Sequence, residues 1–133
     1  MPYSATWEPR GVHCKFSGSI TAGDVRLVTE TVGRSAKFDH ARYCIVDYLD
    51  VREFGFTDAE LDSVIAARIS SYYASPSMRI AFVSTDPKML ALIARDTADG
   101  QLPSPFKVFS SLEEARAWGS ADPLVPGYPP RST

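Results

Sequence analysis

The chain has few cysteines and no long apolar segment, and these absences exclude several classes of protein. Its two cysteines, Cys14 and Cys44, both fall inside apolar, strand-like runs. Two isolated cysteines lack the paired spacing of a zinc site. We expect them to be buried and reduced rather than joined in a disulfide. No run approaches the ~18 consecutive apolar residues that a membrane-spanning helix needs.

Charge and length narrow the choice further. The 14 basic and 16 acidic residues give a formal net charge of −2. The basic residues are scattered along the sequence, which argues against nucleic acid as a partner. The first residues show neither the basic nor the apolar region of a secretory signal, so we expect a cytoplasmic protein. A chain of 133 residues suffices for one domain with a substantial core.

Motifs for catalysis, phosphate binding and metal binding are also missing. There is no Gly-x-Ser-x-Gly elbow, no glycine-rich phosphate loop and no His-Glu-x-x-His. His13 and Cys14 are adjacent on a predicted strand, so their side chains point to opposite faces. Cys44 lies in the middle of its strand, which disfavours a nucleophilic pair with His40. We therefore expect no enzymatic activity, no cofactor and no metal site.

Hydrophobic periodicity and capping signals predict nine alternating elements. The predicted strands have alternating or continuous apolar residues and cover 2–8, 12–20, 41–49, 78–83 and 106–109. The predicted helices each follow a side chain that can cap the first turn: Thr21, Thr57, Asp86 and Ser111. Their expected buried faces contain Leu61, Val64, Ile65, Ile69 and Tyr72 in the second helix and Leu90, Ile93 and Ala94 in the third.

The order of these elements, β-β-α-β-α-β-α-β-α, predicts an α/β fold. Strand-helix-strand connections of this length require parallel neighbours. We expect a five-stranded, mostly parallel sheet with an antiparallel N-terminal edge strand and four helices. The continuous apolar run at 41–49 fits a strand covered on both faces. A single domain should cover residues 1–121, followed by a proline-rich, flexible tail over 122–133.

The segment between the third strand and the second helix is the predicted recognition site. Ligands of open α/β sheets usually bind beyond the carboxyl ends of the strands. This segment is both acidic and aromatic, and it leads directly into a capped helix. The predicted partner- or ligand-binding loop consists of Asp47, Tyr48, Asp50, Arg52, Phe54, Phe56 and Thr57.

Each part of this segment also has a plain structural explanation. A role as a helix cap, which stabilises a helix by ~1 kcal/mol, would alone explain a threonine at position 57. Phe54 and Phe56 can plug the top of the core, or form an apolar mouth for a small molecule. The charged side chains fit a solvated loop with a local ion pair. At the far end of the second helix, Tyr72 and Tyr73 are candidates for a homodimer contact.

The order of elements resembles the STAS superfamily, which includes sulfate-transporter tails and anti-sigma factor antagonists. The strand that ends at Asp47 leads through Asp50 and Val51 to the helix start at Thr57. The chain is most similar to the bacterial single-domain SpoIIAA-like branch, sometimes grouped with SEC14-like lipid-binding domains. The resemblance covers roughly residues 2–119. It implies the fold, the absence of catalysis, and recognition through the segment before the second helix.

The resemblance also implies a candidate phosphoacceptor. Anti-sigma factor antagonists of the family carry an Asp-Ser pair at the helix start, and a partner kinase phosphorylates the serine. Here the sequence at that point is Phe-Gly-Phe-Thr-Asp, in which only Thr57 offers a hydroxyl.

Our leading hypothesis is a non-enzymatic regulatory module that acts through protein-protein binding and forms a homodimer. The alternative is a carrier or sensor of a small apolar or lipid-like ligand, and an enzyme ranks third.

Overall fold

The computed structural model of the chain describes residues 2–73, 75, 77–100 and 102–121, with the side chain of residue 99 left out. The strands are β1 Tyr3–Trp7, β2 Gly11–Ile20, β3 Tyr43–Phe54, β4 Arg79–Val83 and β5 Phe106–Phe109. The α-helices are α1 Ala22–Gly33, α2 Asp58–Tyr72, α3 Pro87–Asp96 and α4 Leu112–Ser120. Short 3-10 helices cover Ala36–His40 and Ala98–Gly100. The tail predicted at 122–133 lies outside the described residues.

The five strands lie in the sheet in the order of the sequence, β1-β2-β3-β4-β5. β1 is antiparallel to β2, and every other neighbouring pair is parallel. The predicted α/β architecture is therefore confirmed. Because the strand order never reverses, connections of one hand place α1, α2 and α3 on the same face. Over the described residues the sheet thus has no topological switch point, where ligands of open sheets usually bind.

Two cores lie on opposite faces of the sheet. The larger one joins α1, α2 and α3 to alternate strand residues: Val12, Cys14, Phe16, Cys44, Val46, Ile80 and Phe82. The smaller one lies under α4 and contains Tyr43, Ile45, Ala81, Val83 and Ala115. Coverage on both faces explains why the first half of β3 is continuously apolar, as predicted.

All four predicted helix caps are confirmed. Thr21 and Thr57 form complete capping boxes with Asp24 and Glu60. Asp86 and Ser111 accept hydrogen bonds from backbone N–H groups in the first turns of α3 and α4. Within the described residues no helix is both long and apolar enough to cross a membrane.

The predicted buried faces of α2 and α3 are confirmed in part, because Leu61, Val64, Tyr72 and Ile93 are buried. In α3 the buried residues are Met89, Leu92, Ile93 and Asp96, whereas Leu90 and Ala94 are exposed. In α2 the buried residues are Leu61, Val64, Ala67, Arg68 and Tyr72. Each observed stripe is as regular as the predicted one but includes a charged residue. A prediction based on apolar side chains alone omits such a charged residue, and it therefore misplaced part of each stripe.

Candidate functional site

The predicted loop before α2 is largely strand. β3 continues past its predicted end at Leu49 as far as Phe54, and residues 50–54 pair with 17–20 of β2. The register shifts twice along this pairing, as β-bulges require. The prediction of a loop was wrong because the exposed charges of Asp50, Arg52 and Glu53 interrupt the apolar pattern. These charges are compatible with a strand whose backbone is paired but whose side chains reach solvent.

The bulged pairing of β2 and β3 forms a surface cleft of about 340 Å³. The cleft is lined by Ser17, Gly18, Leu49, Asp50, Val51 and Arg52. Gly18 has a φ of 67°, in the left-handed region that favours glycine. The Asp50 carboxylate pairs with the Lys15 ammonium at 2.9 Å. Two exposed residues of the predicted site, Asp50 and Arg52, therefore border one cleft.

Asp47 and Tyr48 were predicted to contact a partner, but both are buried. Asp47 is 1% exposed; its Oδ2 lies 2.8 Å from His13 Nε2, and its Oδ1 accepts a hydrogen bond from the Leu49 N–H at 2.9 Å. Burial raises the pKa of Asp47, but the His13 and Leu49 hydrogen bonds hold it below its ordinary value. Tyr48 is 4% exposed and belongs to the larger core. Both side chains therefore lie beneath the surface of the predicted site and are not accessible to a partner.

Phe54 and Phe56 pack on the edge of the larger core and on each other. Both rings are partly buried against that core. Their centroids lie 6.4 Å apart with an interplanar angle of 73°, an edge-to-face arrangement that aromatic pairs favour. The two rings therefore close the core at the end of β3 while keeping part of their surface accessible.

Thr57 is the N-cap residue of α2, and its side chain is exposed. Its hydroxyl accepts a hydrogen bond from the Glu60 N–H at 3.1 Å, and the Glu60 carboxylate accepts one from the Thr57 N–H at 2.9 Å. The Thr57 hydrogen bonds lower the pKa of Glu60. Asp58 forms an ion pair with Arg95 of α3. The helix start is thus structurally satisfied, and its hydroxyl remains at the surface.

The sequence analysis missed a buried ion pair in the larger core. Arg68 of α2 is 1% exposed; its Nε lies 3.2 Å from Asp96 Oδ2, and its Nη2 donates a hydrogen bond to the Tyr48 hydroxyl at 3.1 Å. The guanidinium carbon lies 5.0 Å from the centroid of the Phe82 ring. The spacing of Val64, Arg68 and Tyr72 was the available signal, because residues four apart share a helix face.

The polar atoms of this ion pair are incompletely satisfied. Among the described residues, Arg68 Nε, Arg68 Nη1 and Asp96 Oδ1 have no hydrogen-bond partner. Burial raises the pKa of Asp96, and the nearby Arg68 charge only partly opposes this. The Asp96 carboxylate raises the pKa of Arg68 although burial opposes the charge. Arg68 therefore remains charged, and Asp96 takes up a proton more readily than an exposed aspartate.

A second unpredicted network lies on the α4 face. Arg116 Nη2 donates to Glu8 Oε2 at 2.8 Å, and its Nε lies 3.2 Å from both carboxylate oxygens. The Tyr43 hydroxyl donates to Glu8 Oε1 at 2.5 Å. Burial, with help from Glu8, raises the pKa of Tyr43 to about 12. This network ties the end of β1 to β3 and α4.

Cys14 and Cys44 are buried and free, as predicted. Their sulfur atoms lie 4.0 Å apart. Tyr72, a candidate for a dimer contact, is buried with its hydroxyl 3.8 Å from Cys44 Sγ, so that prediction was wrong. Its neighbour Tyr73 is 75% exposed. No group of three possible metal ligands lies together in the described part of the chain.

Comparison of the structure with solved proteins identifies the fold. An uncharacterised protein of the DUF3478 family from Shewanella loihica PV-4, described as having a SpoIIAA-like fold, is 14% identical with a TM-score of 0.58. The match covers 87% of this chain and 90% of that protein. The unphosphorylated anti-sigma factor antagonist SpoIIAA is 13% identical with a TM-score of 0.55, over 84% of this chain and 91% of that one.

The chain therefore has a STAS/SpoIIAA-like α/β fold, as the sequence resemblance implied. At these levels of identity the similarity concerns the fold alone. No protein-family model and no curated protein matches the sequence.

Proposed function

We propose that the chain is a non-enzymatic regulatory or interaction module of STAS/SpoIIAA-like type that acts by binding a partner protein. Its recognition surface consists of Asp50, Arg52, Phe54, Phe56 and Thr57. The main support is the composition of this surface. Two exposed charges border the 340 Å³ cleft, and two partly buried aromatic rings follow on the same strand end. Aromatic anchors beside charged groups are typical of protein interfaces.

The residues beneath this surface favour a rigid recognition site. The Asp47 carboxylate accepts the Leu49 N–H and contacts His13. Tyr48 accepts a hydrogen bond from buried Arg68 and packs on Phe16, with ring centroids 5.3 Å apart. A surface held in this way loses little conformational freedom on binding, which reduces the entropic cost of association.

The same arrangement supports a role without catalysis. His13 Nε2 is engaged by Asp47, and both thiols are buried. We further propose that the protein works in the cytoplasm as a homodimer, with Tyr73 as a contact residue. Sedimentation of the wild type and Tyr73→Ser tests the dimer: we expect the variant to dissociate more readily, and a monomeric wild type contradicts it.

Native mass spectrometry of the chain purified gently from its own host tests partner binding. We expect a protein-sized mass bound to the wild type and lost in Asp50→Arg. Glu113→Arg is the matched control, because Glu113 is an exposed acidic residue on α4. Partner binding that survives Asp50→Arg as well as it survives Glu113→Arg contradicts the proposed surface.

A carrier or sensor of a small apolar or lipid-like ligand is the second candidate. It is favoured by the position of Phe54 and Phe56, which close the larger core at one edge. Outward movement of the two rings would open a path toward apolar side chains. The same mass measurement distinguishes this candidate: it predicts an adduct of small-molecule mass that is absent from the Phe54→Ala/Phe56→Ala variant.

Thr57 remains our candidate phosphoacceptor. Its hydroxyl is exposed at a helix start, where backbone N–H groups and the helix dipole favour phosphate. Asp58 and Glu60 in the same turn oppose a second negative group. Phosphorylation predicts an added mass of about 80 Da that disappears in Thr57→Ala. A wild-type chain from the host without this mass contradicts the assignment.

A further inference from the structure

Basic residues that are scattered in the sequence converge at the amino end of the sheet. Arg10 lies in the turn before β2, and Lys37 and His40 lie in the 3-10 helix before β3. Because β2 and β3 are parallel, the segments that precede them meet at the same edge. The Arg42 N–H donates to the Arg10 carbonyl at 2.7 Å and joins the two segments. The scatter in the sequence is therefore no guide to charge distribution on the surface.

These residues border a cleft of about 350 Å³, which we call the basic cleft. Its lining consists of Trp7, Glu8, Pro9, Arg10, Gly11, Lys37, His40 and Ala41. This volume lies within the range of about 300–1,000 Å³ typical of small-molecule sites. The cleft is at the opposite end of the strands from the recognition surface, so it is independent of the function proposed above.

The Arg10, Lys37 and His40 side chains of the basic cleft form no ion pair with an acidic side chain among the described residues. Within the described part of the chain, the Arg10 side chain donates one hydrogen bond, from Nη1 to the Ser120 carbonyl at 3.4 Å. The Lys37 ammonium lies 5.9 Å from the centroid of the Trp7 ring. His40 is exposed. Most of the donors on these side chains are therefore available to a ligand.

The Glu8 carboxylate in the lining is paired with Arg116 and therefore does not compensate the charges of Arg10 and Lys37. Glu8 already accepts hydrogen bonds from Arg116 and Tyr43, and the Arg116 contact lowers its pKa. Like charges around one concavity repel each other. An anionic ligand would remove this repulsion and use donors that the fold leaves open.

We propose that the basic cleft binds a small phosphate ester. A guanidinium group matches the geometry of phosphate oxygens, and a lysine ammonium binds phosphate as a point charge. The His40 imidazole supplies a third donor for the third terminal oxygen. The concave shape of the cleft favours a compact ligand over an extended acidic peptide.

NMR titration of the full chain with phenyl phosphate at constant ionic strength tests this assignment. We expect saturable shifts in the Trp7 indole N–H and in the Gly11 amide, with the Thr57 amide unchanged. Arg10→Ala and Lys37→Ala should each weaken binding about tenfold or more, because each removes a charge-assisted contact. Lys88→Ala removes an exposed positive charge elsewhere and should leave binding unchanged.

Three results would overturn the assignment. The first is reproduction of the shifts by sodium chloride, which would indicate screening alone. The second is a loss of binding in Lys88→Ala as large as in Arg10→Ala. The third is tighter binding of a hexaglutamate peptide than of phenyl phosphate, which would make this end a site for acidic protein segments. Arg10→Lys and Lys37→Arg, which keep the charge, control for folding, and binding should survive in both.

Discussion

Individual residues determine the conformation of the β2–β3 bulges and of the strand ends on which the recognition surface lies. Gly18 provides a positive φ at the bulge, and Asp47 fixes the backbone at Leu49. Only Thr57, at the start of α2, could be assigned from neighbouring sequence, because a capping box is a local pattern. The Asp47 contact could not, since its partner His13 lies 34 residues away in the chain.

Gly18→Ala should destabilise the fold for conformational reasons alone. An added Cβ at this position meets no atom within 4 Å, so no clash contributes. The positive φ should cost about 1–2 kcal/mol in the free energy of unfolding, measured by chemical denaturation.

Gly23→Ala provides a control with the opposite sign. Gly23 lies in the first turn of α1, and an added Cβ there makes only an ordinary contact with Thr21 at 3.6 Å. Alanine should therefore stabilise the helix by about 0.5–1 kcal/mol. Equal effects of the two substitutions would contradict the role assigned to Gly18.

Glu8 should contribute to the acid sensitivity of the fold. The Arg116 hydrogen bond outweighs burial, and with Tyr43 it holds the pKa of Glu8 below its ordinary value of 4.5. The stabilisation is therefore fully present above the unfolded pKa and is lost as the pH falls through the folded one. We expect the stability deficit of Glu8→Gln, measured by denaturation, to shrink as the pH falls below 4.5.

Glu53→Gln is the matched control for this pH dependence, because Glu53 is exposed on β3. Comparison with this variant separates the loss of the Arg116 contact from the loss of an exposed carboxylate. A stability deficit of Glu8→Gln that stays constant with pH would show that the Arg116 contact does not depend on the charge of Glu8.

Among the secondary-structure elements, α2 and α3 are joined by an ion pair that apolar patterning cannot reveal. Arg68 and Asp96 lie on the buried stripes of their helices. The contact between the two residues depends on how α2 and α3 pack beside each other on one face of the sheet, so the sequence of neither helix alone specifies it. The extension of β3 is a similar case, because its charged half is a strand only through pairing with β2.

Removing Asp96 should lower the free energy of unfolding more than removing Arg68. In Asp96→Leu the Arg68 guanidinium is left buried and cannot lose its proton, so we expect a loss of about 3–5 kcal/mol. In Arg68→Met the remaining Asp96 carboxyl can take up a proton, because burial already raises its pKa. Arg68→Met should therefore be less destabilising in urea denaturation.

The double variant Arg68→Met/Asp96→Leu completes this comparison. Because it removes both buried charges and fills their volume with apolar atoms, its stability should be close to that of the wild type. A double variant as unstable as Asp96→Leu alone would show that the ion pair itself stabilises the contact between α2 and α3.

For the molecule as a whole, the order of elements could be predicted, but the distribution of polar groups could not. Alternating periodicity and four caps define the sequence of strands and helices, and the helical crossovers between successive strands then make those strands parallel. Predicting the two unequal cores and the basic cleft requires knowledge of the order of the strands within the sheet. Arg10 and Lys37, for example, line one cleft because the segments before β2 and β3 meet at one edge.

Site-specific photo-crosslinking in the host's own cells tests partner binding most directly. A photoreactive amino acid is placed at Asp50 or Arg52, and at Ser4 or Arg34 as controls; all four are exposed positions. Ser4 lies on β1, and Arg34 follows α1 at the amino end of the sheet. We predict that one and the same protein crosslinks from Asp50 and Arg52 but not from the controls. Crosslinks that form equally from all four positions, or only from the controls, would contradict a partner-binding surface at the end of β3.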